Sequence, residues 1–97
     1  MRYKFPDPED PGSLAHIFQA ATEKFSERPF LYFEDEMWTY DRTNKSANSL
    51  ARYLVSTGVK HGDRVVLFME NRPSFLISLL ALNKIGAIAV LINTSLT

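Results

Sequence analysis

In this 97-residue chain the candidates for chemistry are two histidines, an acidic triplet, four glycines, one tryptophan and a polar pair near the carboxy terminus. His16 and His61 stand apart, with no second histidine or carboxylate at metal-ligand spacing. A histidine base also needs a positioned partner, so a surface or structural role is the better reading of each. Glu34-Asp35-Glu36 reads as a solvated turn rather than an acid–base pair, because catalytic carboxylates need environments that separate their pKa values. Gly12, Gly58, Gly62 and Gly86 form neither G-x-x-x-x-G-K-S/T nor G-x-G-x-x-G, and no phosphate cradle is visible. Helix termination and turn formation account better for Gly58 and Gly62, which flank a polar loop. Trp38 invites ligand stacking, but a hairpin aromatic packed on the first helix is the commoner arrangement. Asn93-Thr94 closes a strand, and ligands of open α/β sheets bind beyond the carboxyl ends of strands. Two polar residues there more often just begin a loop. No catalytic, cofactor-binding or metal-binding residue is assigned.

Composition narrows the function classes. Eleven basic residues balance eleven acidic ones, so no broad field recruits nucleic acid or an anionic membrane surface. The hydrophobic fraction of 45% and aromatic fraction of 12% are those of a chain that buries a core. The absence of cysteine excludes disulfides, thiolate nucleophiles and cysteine-based metal sites, and it fits an intracellular protein. The first seven residues lack the apolar run of a secretory signal, which argues against export.

The elements that must position these residues follow from periodicity. Pro6, Pro8, Pro11 and Gly12 make residues 1–12 an extended lead-in. Ser13 caps a first helix whose apolar face is Leu14, Ile17, Phe18, Ala21 and Phe25. Residues 30–33 and 37–39 read as the strands of a short β-hairpin around the acidic turn. Thr39 caps a second helix, with Asp41 in its first turn. Its apolar stripe is Ala47, Leu50, Ala51, Leu54 and Val55, and its polar face holds Arg42, Lys45, Asn48, Ser49 and Arg52. Gly58 ends that helix in the left-handed conformation, with Val59 packing back on Leu54. Residues 60–63 form a turn, and 65–69 are apolar without alternation, as in a strand covered on both faces. Pro73 opens a third helix, apolar nearly all round to Ile85 and stopped by Gly86. A second buried-type strand follows at 87–92. Strand, helix and strand in succession make a βαβ unit that begins a parallel sheet, so the fold class is α/β.

Residues 74–92 approach the length of a membrane span. Against that reading, Asn83, Lys84 and Gly86 sit near the middle, and a central lysine costs roughly 2.5–3.5 kcal/mol on insertion. The first half is also leucine-rich and the second β-branched. Peripheral membrane contact stays open.

Taken in order, these residues resemble a family. Trp38-Thr39-Tyr40, Asn44, the run from Ser46 to Leu54, and Gly58 to Val65 are similar to the opening of acyl-activating (adenylate-forming) enzymes. So are Glu70-Asn71-Arg72-Pro73-Ser74-Phe75 and the run from Leu80 to Ala87. The ending from Leu91 to Leu96 is most similar to long-chain and very-long-chain acyl-CoA synthetases and fatty-acid transport proteins. Arg42 departs from the acidic residue that often completes a capping box there.

The resemblance implies that residues 13–97 are an incomplete amino-terminal portion of a large adenylate-forming domain. For the parent it implies a fatty acid as substrate, ATP, Mg²⁺ and coenzyme A as cofactors, and a cytoplasmic or membrane-associated location. The family's phosphate loop, nucleotide-binding residues and carboxy-terminal lysine are expected beyond Thr97, so this chain alone is expected to be inactive. The competing reading is a stand-alone, non-enzymatic interaction module with the same scaffold. An uncovered apolar edge at 88–92 leads to a further expectation, self-association of the chain.

Overall fold

A computed structural model describes residues 13–69 and 72–93. The lead-in at 1–12 and Thr94 lie outside the described residues. The chain runs α1 (Leu14–Phe25), β1 (Pro29–Phe33), β2 (Glu36–Thr39), α2 (Tyr40–Ser56), β3 (Arg64–Met69), α3 (Pro73–Lys84) and β4 (Ile88–Asn93). Every expected helix and strand is present. β3 begins one residue earlier than its apolar run, and β4 is displaced by one residue toward the carboxy terminus.

Local chemistry sets the helix ends. The Ser13 hydroxyl accepts the His16 N–H at 3.1 Å, and the Thr39 hydroxyl accepts the Arg42 N–H at 3.0 Å. Pro73 occupies the first turn of α3, where its missing N–H costs no hydrogen bond. α2 closes in a Schellman motif: the Gly58 N–H bonds the Val55 carbonyl at 3.1 Å and the Val59 N–H bonds that of Leu54 at 3.0 Å. α3 repeats it, with Gly86 to Asn83 at 3.1 Å and Ala87 to Leu82 at 3.0 Å. Residues 74–92 are therefore helix, left-handed turn and strand, and among the described residues no helix is long and apolar enough to cross a membrane.

Which face each helix buries differs from the expectation. α1 turns Ala15, Phe18 and Thr22 inward, while Leu14 and Ile17 are 43% and 55% exposed. Both sets have helical spacing and share Phe18. Tertiary partners decide between them: Phe18 meets Phe30 edge-on at 5.0 Å and stacks on Tyr40 at 5.7 Å. α2 buries Thr43, Asn44, Ala47 and Ala51, half-buries Leu50 and Leu54, and leaves Val55 exposed. The main core cluster is Phe18, Ala47 and Leu80, with Phe30, Tyr40 and Ile77 packed against it.

β1 and β2 form the antiparallel hairpin, with Leu31 opposite Trp38 and Phe33 opposite Glu36 around Glu34-Asp35. β3 and β4 are parallel, from Arg64 opposite Ile88 to Met69 opposite Asn93, with α3 as the crossover. α3 covers the side of Val65, Leu67 and Ala89, which are half-buried. The opposite face is open, with Val66 52% and Phe68 57% exposed, so among the described residues β3 is not covered on both faces.

Candidate functional site

The hairpin tip and the first turn of α3 enclose an open groove of about 470 Å³. Glu34, Glu36 and Trp38 line one wall, and Arg72, Ser74 and Ile77 the other. The short loop between β1 and β2 brings the acidic turn there, and Pro73 fixes the direction in which α3 leaves Arg72.

Trp38 is committed to neighbours on its own side. Its indole N–H donates to the Glu36 carboxylate at 3.2 Å, and the Arg42 guanidinium lies 3.6 Å from the ring centroid. The hairpin aromatic that packs on α1 is Phe30, not Trp38 as expected from the sequence. Arg42 thus uses its charge on the indole, while its backbone N–H keeps the Thr39 cap. The groove offers carboxylate acceptors, a guanidinium and an apolar wall. Its lining holds no histidine, lysine or cysteine to serve as a base or strong nucleophile.

The remaining candidates are scattered. His16 is exposed on α1. His61 lies in the loop before β3, with its imidazole against Gly86. Gly58 and Gly62 have φ of 105° and 86°, the left-handed conformations of a helix end and a turn, as expected. Around them the Lys60 N–H bonds the Asp63 carboxylate at 2.7 Å, and the Gly62 N–H bonds the Gly86 carbonyl at 2.8 Å. Asn93 ends β4. Among the described residues no three or more His, Asp or Glu side chains are arranged to hold a metal ion.

A polar seam between the helices was not singled out from the sequence. Lys84 Nζ on α3 donates to Asn44 Oδ1 on α2 at 2.8 Å, and Asn44 Nδ2 donates to Gln19 Oε1 on α1 at 3.2 Å. Asn83 Oδ1 accepts the Ala15 N–H at 2.6 Å, which satisfies a donor that the first turn of α1 leaves open. Partial burial holds the Lys84 ammonium below its ordinary value of 10.5. The available signal is Asn83 and Lys84, two polar residues in a mostly apolar α3, whereas Asn44 sits in the polar first turns of α2 and gives none. The seam joins three helices and is scaffold.

The model of the AMP-binding enzyme family matches residues 18–97. The chain belongs to the AMP-binding enzyme family. It is 37% identical over 86 residues to the medium/long-chain-fatty-acid–CoA ligase FadD6 of Mycobacterium tuberculosis, covering 89% of this chain and 14% of that protein. It is 35% identical over 82 residues to the rat long-chain fatty acid transport protein 2, covering 84% of this chain and 13% of that one. Among solved structures, the amino-terminal subdomain of Klebsiella oxytoca NpsA superimposes with a TM-score of 0.83 at 30% identity, over 88% of this chain and 22% of that one. NpsA in complex with 3-hydroxyanthranilyl-AMSN gives a TM-score of 0.84 at 31% identity, over 87% of this chain and 17% of that one. This AMP-binding chain therefore spans about one seventh of FadD6. Of the residues quoted above for the resemblance, Thr39, Gly58 and Gly86 lie at helix ends, and Asn44, Asn83 and Lys84 lie in the seam.

Proposed function

We propose that residues 13–97 are an incomplete amino-terminal portion of the large domain of an ATP-dependent fatty acyl-CoA synthetase. The observation that carries this reading is the 37% identity to a medium/long-chain-fatty-acid–CoA ligase along 89% of the chain. In the parent a fatty carboxylate oxygen would attack the α-phosphate of ATP to give acyl-adenylate and pyrophosphate, and Mg²⁺, when bound, would supply charge that offsets the phosphates. The thiolate of coenzyme A then attacks the acyl carbon, forming the thioester and releasing AMP. No step is assigned to the described residues. In this reading they form the scaffold on which the rest of the domain is built. The enzyme works in the cytoplasm or at a membrane surface, and the 97-residue chain alone is inactive and associates with itself through 88–92.

The test is fatty-acid-dependent ATP–pyrophosphate exchange, run on this chain and on the protein encoded by the continuing reading frame. Exchange by the longer protein, followed by thioester formation with coenzyme A, is the expected result. Exchange by the 97-residue chain overturns the assignment of inactivity. A longer protein that activates amino acids but not fatty acids overturns the substrate class.

A further inference from the structure

β4 has one paired edge and one open edge. Ile88 donates its N–H to the Asp63 carbonyl at 2.7 Å, so Ile88 faces β3, and by strand alternation Val90 and Ile92 do too. Ala89 and Leu91 therefore direct their N–H and C=O groups away from β3, and among the described residues no strand meets them. The open edge of β3 is different. It starts with the charged Arg64, and Ser74, Phe75 and Ser78 of α3 flank Val66 and Phe68 across a cleft of about 310 Å³. From Ile88 to Ile92, β4 has neither charge nor proline, the devices that blunt a strand edge. With 11 basic and 11 acidic residues, two copies meet without a repulsive net field.

We propose that the outer edge of β4 is a dimerisation surface whose partner is a second copy of this chain, paired antiparallel about a two-fold axis at Val90. This deepens the self-association stated above and does not depend on the ligase reading. Antiparallel pairing suits the edge because it is self-complementary. Ala89 of one copy faces Leu91 of the other and the reverse, and each facing pair exchanges both of its N–H···O bonds. The arrangement is isologous, so it closes at two copies instead of growing into a filament. The two sheets join into one with the strand order β3-β4-β4-β3. The Val90 side chains come together at the axis, on the face away from α3.

Sedimentation equilibrium over a wide concentration range tests this directly. The wild-type mass is expected to rise from the 11.1 kDa of the monomer to twice that value. Leu91→Lys places a charge on the edge, and Ala89→Pro removes an outward donor; neither touches a bond to β3. Both variants are expected to stay monomeric with unchanged circular dichroism. Phe68→Thr alters the open apolar face instead and is expected to dimerise like the wild type. A wild type that is monomeric throughout, or a dimer that survives Leu91→Lys, overturns the proposal. Loss of the dimer in Phe68→Thr alone assigns association to the face and also overturns it. If Ala89→Pro does not fold, Leu91→Lys decides. The ligase reading is judged separately by the exchange assay.

Discussion

Gly86 answers two demands at once. Its φ of 76° lies in the left-handed region, and a Cβ there would meet the Cδ2 and Nε2 atoms of His61. Gly58 has φ of 105° with nothing within 4 Å of the same position. Left-handed backbone costs a residue with a Cβ about 1–2 kcal/mol. Gly58→Ala is therefore expected to lose about that much in urea denaturation. Gly86→Ala should lose more, because the imidazole must also move. Introducing His61→Ala should bring the cost of Gly86→Ala down toward that of Gly58→Ala; an unchanged cost would show that the imidazole contributes nothing. Glu34 is the converse case, a side-chain-bearing residue at φ of 54° in the hairpin turn. Glu34→Gly relieves that strain and should raise the unfolding free energy by up to about 1 kcal/mol.

At the scale of elements, the seam makes three helices depend on one side chain. Asn44 is buried, accepting from Lys84 and donating to Gln19. Asn44→Leu leaves a half-buried ammonium and an amide without their partner, so a loss of about 2–3 kcal/mol is expected in chemical denaturation. Lys84 adds a pH dependence whose sign is fixed. Desolvation lowers its folded-state value below the 10.5 of the unfolded chain. Between the two values the unfolded state binds more protons, so stability rises with pH across that window. Compared with Lys84→Met, the wild type should gain unfolding free energy as pH rises toward 10.5. A difference between the two that is flat or falls with pH would contradict the desolvation account. The elements also show what a sequence discloses. Helix ends are legible because capping is local: Ser13, Thr39, Pro73, Gly58 and Gly86 each act within a few residues. The phase of a helix is not, because its arbiter is distant. Phe18 faces inward against Phe30 and Tyr40 of later elements, and Leu14 and Ile17 are left outside. The groove divides the same way. Its acidic turn and Trp38 stand out as residues, but the wall with Arg72 comes from the fold.

For the molecule as a whole, the open sheet face carries the most information. Val66 and Val90 are opposite one another, as are Phe68 and Ile92, and all four side chains are 38% to 57% exposed. The strand composition belongs to a sheet covered on both faces, yet the described residues cover one. Family membership gives a physical reading, since relatives such as FadD6 are about six times as long and have much more chain with which to build a second layer. The same substitution should then have two different costs. In the 97-residue chain Phe68 is more than half exposed, and Phe68→Thr removes little buried area, so its unfolding free energy should change by no more than about 0.5 kcal/mol. In the longer protein of the proposed ligase, with that face covered, removing the ring should cost about 3–5 kcal/mol, as for a buried phenylalanine. Urea denaturation of both proteins measures the contrast. Similar small losses in both would mean that the face stays open in the longer protein. Similar large losses would mean that the short chain already covers it, and pairing through the sheet face would then displace edge pairing as the mode of its association.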